Sequence, residues 1–167
     1  MARKRTGWPP IIVGGIVAGL LLVACLGLIW WKMGQPWGAA VPTEFSSNGE
    51  QIYFTSTSQR GTPILSDMGM GMMGMMTCAS CHGPDGQGGR IWMMMRAFVA
   101  PDIRYKTLTS REHAEEEKHK PYTDEDIKRA ITRGVEPDGE ILDWPMPRWT
   151  MSEEDLNDLL EFLKTLE

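Results

Sequence analysis

Five consecutive residues, Cys78-Ala79-Ser80-Cys81-His82, have the types and the spacing to do chemistry. The pattern is C-x-x-C-H, the attachment sequence for c-type haem. Two thiols one helical turn apart reach the two vinyl groups of one porphyrin, and the adjacent histidine is aimed at the iron. Other uses of a C-x-x-C pair compete poorly. A redox pair of the thioredoxin type belongs in a βαβ setting, and no such pattern surrounds this one. Zinc needs two more ligands, and beyond the motif only His113 and His119 are available, in a charged stretch far from the usual finger spacing. The expectation is one covalent haem c on Cys78 and Cys81, with His82 ligating the iron.

The elements that must position this motif are helical. Asn48 is placed to cap a short helix through Gly49-Glu50-Gln51-Ile52-Tyr53-Phe54. Thr123, with Asp126 three residues on, caps a helix bearing Ile127, Ala130 and Ile131 that stops at Gly134. Ser152 caps the last helix, where Leu156, Leu159, Leu160, Leu163 and Leu166 follow a 3.6-residue period. Gly- and Pro-rich loops lie between, with no convincing alternating strand and no internal repeat. The predicted fold is a small, all-α, loop-rich domain whose few apolar side chains need something else to pack on.

Charge is unevenly spread. Residues 33–167 hold all 22 Asp and Glu against 13 Lys and Arg, a net −9, whereas the first 32 residues carry +4. So acidic a domain repels phosphate, which argues against nucleic-acid binding and favours a protein partner with a basic patch. Three cysteines are too few for a disulfide-stapled fold.

The basic leader is also apolar. Ile11 to Trp31 is a run of 21 residues without a charge, and a helix of that length spans roughly 31 Å against about 30 Å of bilayer hydrocarbon. Arg3, Lys4 and Arg5 mark a cytoplasmic N-terminus, and Trp8, Trp30, Trp31 and Trp37 suit the two interfaces. The expected organisation is a cytoplasmic basic N-terminus over 1–10, a transmembrane helix over 11–31, a linker over 32–48 and an extracytoplasmic domain over 49–167. A rival reading takes Leu22-Val23-Ala24-Cys25 as a lipobox with Cys25 lipidated; both tether the domain to the membrane. Gly15 and Gly19 form a G-x-x-x-G that lets another helix approach closely.

At this point residues 49–166 resemble a class I monohaem cytochrome c. The matching features run in order: Gly49 and Tyr53 on an N-terminal helix, C-A-S-C-H-G at 78–83, Ala100-Pro101, the helix from Ile131 to Gly134, Met146-Pro147, and the closing leucine-rich helix. The phrases NGEQIYF, CASCHGPDGQGG and MPRWTMSEEDL are similar to a bacterial subgroup in membrane respiratory chains, including the membrane-anchored monohaem subunit of alternative complex III. The resemblance implies an electron-transfer protein rather than an enzyme. It implies a bacterial inner-membrane location, single-pass, with the haem domain on the periplasmic side. Its partners would be the other redox subunits of a quinol-oxidising respiratory or photosynthetic complex, with an oxidase, a reaction centre or a soluble carrier as acceptor. A free-standing tethered shuttle and a haem or copper sensor module are the alternatives.

The resemblance also implies the second axial ligand. The methionine of the M-P turn is Met146, with Met151 as its nearest rival; Met151 precedes the Ser152 cap and suits a packing role against Leu156. His113 and His119 read as parts of a solvated face. By the same resemblance, Pro101 supplies a backbone carbonyl to the free N–H of His82, fixing the imidazole tautomer. Two departures stand out: an insertion from about Thr57 to Thr77, and a densely charged one around Arg111 to Lys120. The methionine-rich runs 68–76 and 93–95 suit packing or docking, with soft-ligand binding of copper(I) as the alternative.

Overall fold

The computed structural model describes residues 41–68, 76–93, 95–117 and 119–167. The segment expected to cross the membrane, 11–31, lies outside them, as do Cys25, the G-x-x-x-G pair and residues 69–75 of the longer methionine run. No helix among the described residues is long and apolar enough to cross a membrane.

The first helix, α1 (Asn48–Thr55), is capped by Ser47, whose Oγ accepts from the Glu50 amide at 3.1 Å. The cap thus falls one residue before Asn48. Asn48 is used elsewhere: its Nδ2 donates to Asp155 and Asp158 at 2.9 and 2.8 Å. Packing also reaches upstream of Gly49, because Phe45 stacks on Phe54 with ring centroids 6.5 Å apart. The one-turn helix α2 (Cys78–His82) carries the motif and opens on a capping box, Thr77 Oγ1 accepting from the Ser80 amide and Ser80 Oγ from the Thr77 amide. After it come two short helices, α3 (Tyr105–Leu108) and α4 (Arg111–Glu117), the second formed by the charged insertion. The helix α5 (Asp124–Arg133) has the expected Thr123–Asp126 capping box and ends at Gly134, left-handed at φ 63°. The last helix, α6 (Glu153–Thr165), starts at Ser152, whose Oγ accepts from the Asp155 amide at 3.1 Å.

The core forms where α1 lies across α6. Gly49 makes the crossing possible: a Cβ there would overlap the Asp158 carbonyl and press on Phe162. Ile52, Tyr53 and Leu159 are all but fully buried at the crossing, and Tyr53 and Phe54 both pack edge or tilted against Phe162. Against the other flank of α6 lies α5, through its buried Ile127, Ala130 and Ile131.

The all-α expectation needs correcting, because two antiparallel ribbons accompany the helices. One joins β1 (Leu65–Ser66) to β4 (Trp149–Thr150). The other is a hairpin of β2 (Gly89–Met93) and β3 (Arg96–Ala100), in the register Ile91 opposite Phe98. Its tight connection turns through Met95 at φ 63°, a conformation normally given to Gly or Asn. Nothing in a Met-Met-Met sequence signals that turn, and the hairpin's outer face (Arg90, Trp92, Ala97, Val99) is exposed, so no polar-apolar alternation betrays it either.

The inserted stretch after α1 is tied down by one carboxylate. Asp155 is fully buried, and its oxygens accept from Ser58 Oγ at 2.6 Å, Asn48 Nδ2 at 2.9 Å, Ser152 Oγ at 2.9 Å, Arg60 Nη1 at 3.0 Å and Thr62 Oγ1. Burial alone would push this carboxyl up; the hydrogen bonds from Ser58, Thr62, Asn48 and Ser152 outweigh it and hold the group well below the usual carboxylate range. A depressed folded-state value adds stability that is complete above the unfolded carboxyl pKa of about 4 and is lost as pH falls through the folded one. Asp155→Asn is therefore expected to destabilise the protein by about 3 kcal/mol at neutral pH. In thermal melts the gap between wild type and variant should be constant from neutral to mildly acidic pH and should narrow below about pH 4.

Candidate haem site

The Thr77–Ser80 capping box starts α2, and Gly83, at φ 79°, ends it by returning its amide to Ala79 O at 3.0 Å. One turn of helix is enough to place Cys78 and Cys81 on one side with His82 directly after them. This turn is held from below by Tyr53, whose hydroxyl donates to Gly83 O at 2.6 Å. Burial keeps that phenol far above its ordinary pKa, so it stays a donor.

Cys78, Cys81, His82, Pro101 and Met146 all line one cavity of about 480 Å³, within the range of small-molecule and cofactor sites, about 300–1,000 Å³. Its remaining walls are mostly apolar: Ile91 and Phe98 from the hairpin, Ile127 and Ile131 from α5, Leu159 and Leu163 from α6, and Trp149 from β4. A flat, largely apolar macrocycle fits such walls, and the donor set fits its iron. His82 is buried, and its Nδ1 lies 3.0 Å from the Pro101 carbonyl. A carbonyl only accepts, so Nδ1 carries the proton and Nε2 keeps its lone pair for a metal. Burial lowers the His82 pKa, opposed by the Pro101 bond, and a neutral imidazole is the ligating form.

Burial pushes the Cys78 thiol up to about 12, and Cys81 adds to the rise. Both cysteines are half-buried and unpaired in a disulfide, as sites of thioether attachment require.

The Pro101 carbonyl is brought to His82 by a device that motif reasoning misses. Gly88, at φ 72°, donates its amide to His82 O at 2.8 Å, and a Cβ on it would run into the carbonyls of Ala100 and Pro101. Only glycine lets the 83–88 loop and the 100–101 segment lie so close. Downstream, Ile103 N donates to Gly86 O at 2.8 Å, and Arg104 forks onto Asp102 with Nη2–Oδ2 at 2.5 Å. The cluster G-x-G-G after the histidine was the available sign.

The remaining candidates are placed elsewhere. Met151 packs against the core and is not among the residues lining the cavity. His113 and His119 also lie off the cavity; part-exposed, they form an edge-on row with Tyr122, with centroids 5.8 and 5.2 Å apart along it. The described ends of the methionine runs diverge: Met76 is buried in the cavity wall, while Met95 is almost wholly exposed. Among the described residues, no group of three or more His, Cys, Asp or Glu side chains could hold a metal ion.

Compared with known proteins, residues 66–167 match the family model described as cytochrome c. No curated protein matches the chain. No solved structure matches it.

Gly88→Ala tests the positioning of Pro101. The added methyl is expected to separate Pro101 O from His82, cost about 1–3 kcal/mol of stability, and make the imidazole a weaker donor to iron. The midpoint potential of the haem-loaded protein should rise, as read by redox titration, with both thioether links intact.

Proposed function

The chain belongs to the cytochrome c family, and from that premise we propose that it is a membrane-anchored carrier of single electrons, working outside the cytoplasm in a quinol-oxidising assembly. Its cofactor is one haem c bound covalently through Cys78 and Cys81, and it is an electron carrier, not an enzyme. The observation that carries the reading is the convergence of Cys78, Cys81, His82 and Met146 on one apolar cavity.

The group held there supplies a one-electron ferric–ferrous couple. The chain's own residues set its terms. Cys78 and Cys81 fix the ring to α2 so that it cannot leave with a partner. His82 would hold the iron, with its imidazole tautomer fixed by the Pro101 carbonyl. Met146 would be the second protein residue to hold it in this proposal, an arrangement that suits electron transfer and not substrate chemistry. A neutral thioether favours the ferrous state, giving a high potential. Apolar walls from α5, α6 and the hairpin exclude water, so little solvent reorganises when the charge changes.

The membrane part of the proposal rests on the uncharged run 11–31 behind Arg3, Lys4 and Arg5. The likeness of NGEQIYF, CASCHGPDGQGG and MPRWTMSEEDL to the monohaem subunit of alternative complex III supports the assembly. Extraction of native membranes in mild detergent should therefore yield the protein with other redox subunits, remaining with the membrane after high-salt and alkaline washes. Recovery alone and monodisperse would count against the assembly, and release by washing would count against the anchor.

The ligand assignment has its own test. Ferric wild-type protein should show the weak red sulfur-to-iron band. Met146→Ala should abolish that band, open ferrous iron to carbon monoxide and lower the potential, within the roughly 0.8 V that axial ligation spans. Met146→His should lower the potential while keeping carbon monoxide out. Met151→Ala should leave band and potential unchanged. If the Met151 variant loses the band and the Met146 variant keeps it, the assignment is wrong.

A further inference from the structure

The loop that bears Met146 is poor in backbone hydrogen bonds of its own. Pro145 and Pro147 flank the methionine and have no N–H to donate. Two backbone bonds hold the loop locally, Leu142 N to Gly134 O at 2.9 Å and Met146 N to Asp143 O at 3.1 Å. The carbonyls of Leu142 and Met146 are satisfied from a single side chain: Arg148 donates from Nη2 to Leu142 O at 2.6 Å and from Nη1 to Met146 O. One planar guanidinium thus spans both sides of the loop.

A clamp is only as firm as its own mounting, and Arg148 is mounted on three sides. Its backbone N–H donates to Asp67 Oδ1 at 2.9 Å, and its carbonyl accepts from the Asp67 amide at 3.1 Å. The next two residues, Trp149 and Thr150, pair with Ser66 and Leu65 as β4 and β1. The guanidinium lies on Gly134, where any Cβ would overlap it. The inserted stretch Thr57–Thr77 contributes Asp67, Ser66 and Leu65 to this mounting, so it has a place in the site.

We propose that Arg148, mounted on Asp67, is a positioning residue that holds the Met146 loop so that the thioether stays on the iron. The proposal rests on Met146 being the axial ligand. Methionine has three rotatable side-chain bonds and no fixed direction of its own. The constraint must therefore come from its backbone, and a functional group has to be held to within about 0.5 Å by such supports. Releasing the two carbonyls lets the loop swing, and the iron then spends more time with that position open.

The test uses the haem-loaded full chain. Arg148→Ala is expected to speed carbon monoxide uptake by the ferrous protein about tenfold or more, the scale of a lost charged hydrogen bond, and to weaken the red ferric band. Arg148→Lys, whose ammonium lacks the planar fork, should fall between it and wild type. Asp67→Ala should open the site in the same direction, whereas Asp67→Asn keeps an oxygen to accept from the Arg148 amide and should stay near wild type. Phe45→Ala, which loses packing on Phe54 away from the cavity and the inserted stretch, is the control for stability alone and should change neither reading. Arg148→Ala and Asp67→Ala variants that melt lower, like the control, with wild-type uptake and band would overturn the proposal. Should Arg148→Ala fail to accumulate with haem, Arg148→Lys and Asp67→Ala decide by the same readings. Met146→Ala, run alongside, separates the two claims: if it opens the site and the Arg148 and Asp67 variants do not, the ligand stands and the clamp falls. If Met146→Ala leaves band and uptake unchanged, the ligand reading itself has failed, and the clamp falls with it.

Discussion

Everything else in the domain depends on the close crossing of α1 over α6 at Gly49. With hydrogen in place of a methyl, the backbone of α1 reaches the Asp158 carbonyl, and the two helices bury Ile52, Tyr53 and Leu159 almost completely. The crossing sets where Tyr53 stands, and the Tyr53 hydroxyl reaches Gly83 at the end of the motif helix. A contact between chain segments more than a hundred residues apart thereby fixes the height and tilt of the single turn that bears Cys78, Cys81 and His82. A larger residue at 49 would act on the haem site through that phenol, without touching the cavity.

Around this crossing the inserted stretch is secured at two points with different chemistry. At one end Ser58, Arg60 and Thr62 converge on Asp155, a buried carboxylate fully supplied with donors. At the other, Asp67 meets the Arg148 backbone. Both are carboxylates accepting from groups beyond ordinary loop contacts, and both tie the insertion to the segment 148–155 between the Met146 turn and the start of α6. Among the described residues no buried side-chain nitrogen or oxygen is left without a partner. That is the condition under which buried polar groups give rigidity instead of a penalty.

What the sequence revealed and what it hid divide along a physical line. The capping signals at Thr123 and Ser152 and the motif at 78–82 are local: the interacting atoms lie three or four residues apart, so spacing is enough. The same locality misled at Asn48, where a good capping residue was recruited by Asp155 and Asp158 across the crossing and Ser47 took over the cap. The β2–β3 hairpin was hidden because its inner residues, Ile91 and Phe98, face the cofactor cavity and not a conventional core, and because its turn runs through Met95. The roles of Asp67 and Arg148 were illegible for a further reason. Each acts on backbone atoms, whose identity no sequence records. Family resemblance pointed to Pro101 and Met146, but the groups that present those two residues had to be seen in three dimensions.

The cavity and the core are not separate objects in this protein. Ile127, Ile131, Leu159 and Trp149 belong to the buried cluster and also line the haem pocket. Their outer atoms find dispersion partners across the pocket only when a flat apolar group lies between them. The few apolar side chains of so acidic a domain therefore suffice, because the largest hydrophobic body in the fold is the cofactor, and its covalent links keep it there. The linked group goes with the chain in either state, and burying its apolar surface against these walls on folding adds to the stability of the native state. The faces of α5 and α6 are thus chosen by the same requirement that serves electron transfer: a dry, tightly walled site in which the iron keeps its ligands through each change of charge.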